Sequence, residues 1–220
     1  MSKLLQQYSQ KNAAEYDARR STSKRWANEI RAMKEMLEQI HPKTVLDCPF
    51  GTGRWIPQYI THGVNVIGID FSEDMLLEAK KKISTYVKES GNFTLVQKSI
   101  FDIERADLSL SPDLVVCTRF FNWVSLSDVE KAFSALSAIG SKEMVVGVSV
   151  RPKSLSIFKN YLFRLGLLLK NKRKFRKAPQ FVHDEIEIVK LFERFGWSIS
   201  RQTKIFTNKT RFNYFYHLSR

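Results

Sequence analysis

Between residues 44 and 150 the chain alternates short apolar, β-branched runs with helical stretches, and this alternation narrows its fold more than any other feature. The strand-like runs are residues 44–48, 64–70, 93–97, 113–117 and 143–150. They read as continuous apolar segments, the pattern of parallel strands buried on both faces. Helices are expected over residues 54–62, from a Ser72 cap through about residue 90, and from a Ser127 cap to Ile139. Strand and helix in alternation imply a doubly wound parallel sheet with helices on both faces. After a further helix over residues 184–195, two runs at 197–206 and 211–218 are joined by a turn at Asn208. Adjacent strands with so short a link must be antiparallel. The expected architecture is therefore α/β and doubly wound, with a mostly parallel seven-stranded sheet that ends in a C-terminal antiparallel hairpin.

The 220 residues suit one domain with a sizeable core. That domain is expected to carry cap helices over residues 1–41 and a basic amphipathic insertion over residues 151–182. In the cap, Ser23 starts a helix that runs to Ile40, where the His41-Pro42 pair ends it. Cys48 and Cys117 are too few for a disulfide framework and read as small buried hydrophobes.

The segment with most chemical content is Leu46-Asp47-Cys48-Pro49-Phe50-Gly51-Thr52-Gly53-Arg54. It reads as a strand, an acidic residue, a glycine turn and a helix start. Glycines let backbone approach a ligand closely, and the helix start presents free N–H groups. A dinucleotide-binding turn needs a third glycine, and that position holds Ile56. An acidic residue just before the glycines also opposes a pyrophosphate and suits an ammonium or sulfonium. The second strand ends on Asp70, placed to accept ribose hydroxyls one βαβ unit later. Phe71 and Met75 follow as apolar cover for an adenine.

These segments and their order resemble the class I S-adenosylmethionine (SAM) methyltransferases. The first motif is similar at residues 46–54, in the bacterial variant with a proline before the glycines, and the second at residues 66–76. The resemblance implies a SAM-dependent enzyme. It implies that Asp47 and the Gly51-Thr52-Gly53 backbone hold the methionine moiety and that Asp70 holds the ribose. It places the third motif at Lys98-Ser99-Ile100-Phe101-Asp102, with Ser99, the Ile100 backbone and Phe101 beside the adenine. Ser99 stands where that family often has Asp. Thr118, at the end of the fourth strand, joins the cofactor set, and Tyr16 and Arg20 are expected to fold over it. Arg119 and Asn122 are expected to orient the acceptor, and His183 is the candidate general base. Cys117 is a second candidate for chemistry, as a nucleophile, although a buried strand cysteine is the plainer reading. No metal site is expected. Asp70→Ala is expected to weaken cofactor binding and leave the fold intact. Gly51→Val is expected to do worse by filling the turn.

The acceptor is expected to be a small molecule or lipid-like, methylated at O or N. The charge of +14 keeps a second reading open, an RNA methyltransferase that grips phosphates through the basic run from Lys170 to Lys177. The same insertion suits peripheral contact with an anionic membrane. A third reading is a cofactor-binding regulatory module without catalysis. The longest apolar stretch, residues 161–169, is broken by Arg164 and Gly166 and is too short for a bilayer. With no signal-peptide pattern at the start, a cytoplasmic location is expected.

Overall fold

The structure, a computed structural model, describes residues 23–86, 92–151, 181–207 and 211–220. Tyr16, Arg20, the turn at Asn208 and the basic run 170–177 lie outside the described residues.

The first described helix, α1 (Lys24–Ile40), starts where Ser23 Oγ accepts from the Trp26 N–H at 3.1 Å. It stops at His41, which turns left-handed (φ 51°) ahead of Pro42. The parallel strands are β1 (Thr44–Asp47), β2 (Asn65–Asp70), β3 (Phe93–Gln97), β4 (Leu114–Thr118) and β5 (Glu143–Arg151). Between them come α2 (Ile56–Thr61), α3 (Glu73–Tyr86) and α4 (Leu126–Ala138). The chain ends with β6 (His183–Asp184), α5 (Glu185–Arg194), β7 (Ser198–Thr207) and β8 (Phe212–Ser219).

Successive strand residues point to opposite faces, and both faces are apolar. Val45, Val66 and Val116 face Met33, Trp55 and Tyr59. Their neighbours Leu46, Ile67 and Val115 face a second core built on Phe133, Phe192 and Trp197. That is why helices are needed on both sides. The strand order is β3-β2-β1-β4-β5-β8-β7, with β8 antiparallel to both neighbours. The order reverses between β1 and β4, so the crevice at their carboxyl ends is the natural ligand site.

Several sequence expectations are corrected. Among the described residues the sheet has eight strands rather than seven, because His183 and Asp184 add a short parallel pair to Val150 and Arg151. The helix expected from Arg54 begins at Ile56, since the chain is still in turns through Trp55. The cap of α4 is Ser125, not Ser127: Ser125 Oγ accepts from the Asp128 N–H at 3.3 Å. Asp184 ends β6 and caps α5, accepting from the Ile186 N–H at 2.9 Å.

Candidate active site

The turn after β1 shapes the site. Gly51 and Gly53 both have positive φ, at 58° and 67°, and the Cys48-Pro49 peptide is cis. The two glycines serve different ends. A Cβ on Gly53 would stand 2.1 Å from Ile56 Cδ1, so this glycine closes the turn onto α2. A Cβ on Gly51 would meet nothing within 4 Å, so this glycine opens onto free space. The expectation that a side chain at Gly51 fills the turn is therefore corrected: it would enter the cleft. We expect Gly53→Ala to cost about 2 kcal/mol of stability and Gly51→Ala about 1 kcal/mol, the shared part being left-handed strain. Urea unfolding checks the order, and a larger loss at Gly51 would refute it.

Asp70 braces this turn. Its Oδ2 accepts from the Gly51 N–H at 2.7 Å, and its Oδ1 accepts from the Ser72 N–H at 2.9 Å. Burial raises its pKa, partly offset by the N–H groups of Ser72, Gly51 and Phe71. Above it opens a cleft enclosing about 790 Å³, its open mouth included. Of the sequence-expected residues, Gly51, Thr52, Asp70, Phe71, Met75, Thr118 and Arg119 line this cleft. Phe50, Trp55, Phe120 and Trp123 also line it and had been given no role. The signal for Phe120 and Trp123 was present, since both follow the β4 end in the Phe120-Phe121-Asn122-Trp123 run.

Asp47 lies at the end of β1 and is 1% exposed. Its Oδ2 accepts from the Tyr59 hydroxyl at 3.1 Å, while Oδ1 has no partner among the described residues. Burial pushes this carboxyl well above its usual value. The Tyr59 bond partly opposes the shift, and the Asp70 charge adds to it. Gly53, Ser99, Ile100 and Phe101 stand back from the described cleft wall. Ser99 Oγ accepts from the Phe101 N–H at 3.2 Å, and Ile100 is buried. The Phe101 ring meets Phe120 edge-on at 5.8 Å.

Behind the cleft, Glu29 of α1 is 1% exposed. It pairs with Arg54 and accepts from Arg25 Nε at 2.8 Å. The Arg54 guanidinium lies over the Trp26 ring at 3.8 Å and the Trp55 ring at 4.5 Å. Burial alone would raise the Glu29 pKa, but Arg119, Arg54 and Arg25 together hold it below the ordinary carboxylate value. This cluster was not foreseen, because Glu29 reads as one more polar residue of a charged helix.

Arg119 has φ 65°, a conformation rare for a residue with a side chain. It lines the cleft and also a second, smaller cavity with Asn122, Asn213 and Tyr214. Asn122 Oδ1 accepts from the Ser149 N–H at 2.7 Å, which fixes its amide. His183 is not on the described walls of either cavity. Its buried Nε2–H donates to the Phe121 carbonyl at 2.7 Å, and burial lowers its pKa. Cys117 is buried and its thiol is pushed up by burial, so no thiolate is presented.

Residues 45–143 match the family model described as a methyltransferase domain. The architecture is that of the class I methyltransferases. Magnesium protoporphyrin IX methyltransferase from Synechocystis with bound SAM superposes with a TM-score of 0.63 at 19% identity, covering 89% of this chain and 81% of that one. A SAM-dependent methyltransferase from Clostridium acetobutylicum gives a TM-score of 0.63 at 16% identity, covering 94% and 96%. Malonyl-[acyl-carrier protein] O-methyltransferase from Acetivibrio thermocellus is 30% identical over 129 residues, or 55% of this chain. The chain spans 40% of that relative's length. Within this methyltransferase fold the cleft sits at the carboxyl ends of β1, β2 and β4. Among the described residues, no helix is long and apolar enough to cross a membrane.

Proposed function

We propose that this chain is a SAM-dependent methyltransferase acting on an O or N atom of a small-molecule or lipid-like acceptor. The observation that carries the reading is the Gly51 cradle, open to the cleft and braced by the Asp70 carboxylate. The buried Asp47 Oδ1, off the described cleft wall and without a hydrogen-bond partner among the described residues, suits an ammonium group. When bound, SAM supplies a methyl group already activated on a sulfonium. The protein's part is then to hold, orient and exclude water. Gly51 and Thr52 offer close backbone, Asp70 accepts from the ribose, and Phe71 and Met75 cover the adenine. Arg119 and Asn122 orient the acceptor from the β4 end. The reading assigns no proton transfer to His183, whose Nε2–H is held by a backbone carbonyl.

Calorimetric titration with S-adenosylhomocysteine tests this directly. Single-site binding at about −8 kcal/mol, the micromolar scale, is expected. Absence of binding, with and without candidate acceptors, would reject the reading.

Binding should also be linked to pH. The Asp47 carboxyl is raised in the free protein, so part of the population is protonated above the ordinary carboxylate range near 3.8. An ammonium beside Oδ1 favours the ionised form. Binding therefore releases a proton, and affinity rises with pH until the free-protein pKa is passed. Titrations from the ordinary carboxylate value of 3.8 upward, in two buffers of different ionisation enthalpy, measure the protons released. An affinity flat across that window would remove Asp47 from the ammonium site.

A further inference from the structure

We propose that Tyr59 is a positioning residue for the cofactor: its hydroxyl holds Asp47 Oδ2, so that Oδ1 is left to receive the ammonium group. The inference rests on the methyl-transfer reading and adds to it a residue that lies off the described cleft wall.

The fold sets Tyr59 in place. It sits on α2, is fully buried and belongs to the same apolar core as Met33, Phe50 and Trp55. Backbone bonds fix it on both sides. Its N–H donates to the Trp55 carbonyl at 3.0 Å, and its carbonyl accepts from the Val64 N–H at 3.1 Å. Gly53 lets the turn close onto this helix, since a Cβ there would strike Ile56. The hydroxyl so placed donates to Asp47 Oδ2 at 3.1 Å.

A buried tyrosine hydroxyl needs a partner, but a carboxyl is a costly one. Asp47 is 1% exposed and makes no salt bridge among the described residues. The titratable groups that act on it are Tyr59 from α2, Asp70 from β2, and the thiols of Cys48 and Cys117 at the β1 and β4 strands. None of them is a cation. Its Oδ1 is buried and has no hydrogen-bond partner among the described residues. If the bond served packing alone, an amide or hydroxyl at this position would satisfy Tyr59 without burying an ionisable group. One oxygen tied and the other open is the arrangement for a cation that arrives with a ligand.

The position agrees. Asp47 ends β1, in register with Gly68 of β2 and Val116 of β4, where the strand order reverses. Holding Oδ2 fixes the plane of the carboxyl, and with it the direction from which Oδ1 accepts. A binding group locked by such a supporting bond loses little freedom when its ligand arrives.

The test compares S-adenosylhomocysteine with its deamino analogue, in which hydrogen replaces the amino group. Wild-type protein is expected to bind S-adenosylhomocysteine at least about tenfold more tightly than the analogue. Tyr59→Phe keeps the ring and removes the hydroxyl. It should weaken S-adenosylhomocysteine until the two ligands lie within about threefold, while the analogue stays within about twofold of its wild-type affinity. The Tyr59 bond lowers the Asp47 pKa, so its loss should also move the rise of S-adenosylhomocysteine affinity to higher pH. Equal weakening of both ligands would make Tyr59 a packing residue and overturn the inference, as would an unchanged preference. Wild-type protein that binds both ligands alike overturns it without any variant and leaves the cofactor reading standing. If Tyr59→Phe does not fold, 3-fluorotyrosine incorporated at this position decides. Its more acidic hydroxyl donates more strongly, so the rise in affinity should move to lower pH, and an unmoved rise overturns the inference. Failure of both ligands to bind overturns the methyl-transfer reading, and the Tyr59 assignment with it.

Discussion

Asp70→Asn is expected to weaken S-adenosylhomocysteine binding by about a hundredfold or more, while the protein still folds. Each Asp70 oxygen already accepts one backbone N–H, from Gly51 and from Ser72. A carboxylate oxygen has a second lone pair to offer, so both oxygens can still receive a ribose hydroxyl. Asparagine keeps the volume but turns one oxygen into an N–H donor. That donor faces either the Gly51 or the Ser72 N–H, and it cannot accept from ribose. Hydrogen bonds to a charged group are worth about 1.5–3 kcal/mol each, so two weakened bonds account for about 3 kcal/mol, or a hundredfold. Alanine is the poorer probe, because it leaves the Gly51 and Ser72 N–H groups without their acceptor. The sequence-based expectation that Asp70→Ala spares the fold overlooked that bracing role. Calorimetry gives the affinity and a thermal melt gives the stability. An unchanged affinity would move the ribose away from Asp70.

Glu29→Ala is expected to lower stability by about 3–5 kcal/mol, because it leaves the buried Arg54 guanidinium beside Arg25 without its carboxylate. For a chain of this size that corresponds to a fall of about 10 °C in Tm. Glu35→Ala is the control. Its pair with Arg201 is short, at 2.7 Å, but both side chains are more than a third exposed. Solvent screens such a pair, and a loss under about 1 kcal/mol is expected. The pH dependence gives a second readout. The folded-state pKa of Glu29 is depressed, so its contribution is present above the ordinary carboxylate value and is lost as pH falls through the folded value. The wild-type protein should lose this increment of stability in acid, and Glu29→Gln should show no such increment. Equal melting of Glu29→Ala and Glu35→Ala would show that the cluster is not a stabilising centre.

Much of the fold was legible in the chain because its signals are local. A β-branched apolar run makes a buried strand whatever lies far away, and the breaks at Gly63 and Gly140 mark where helices stop. The cleft proposed to bind the cofactor was legible in part for the same reason. Gly51 and Asp70 belong to one strand-turn-helix-strand unit, and short-range geometry brings them together at the cleft wall. Errors at element edges were also local. Ser125 and Ser127 both precede the α4 pattern, and only backbone geometry chooses between them.

What the sequence alone determined, then, is the alternating architecture and the Gly51–Asp70 end of the cleft, since both depend on residues close in the chain. Only the tertiary structure decided the buried Glu29–Arg54 cluster, the withdrawal of His183 onto the Phe121 carbonyl, and the hydrogen bond from Ser149 Oγ to Asn213 Oδ1. Ser149 and Asn213 are 64 residues apart. They meet because β8 lies antiparallel between β5 and β7, in a register that pairs these two residues. Strand order and register come from long-range pairing and the fit of two opposed cores, which no local pattern of residues records.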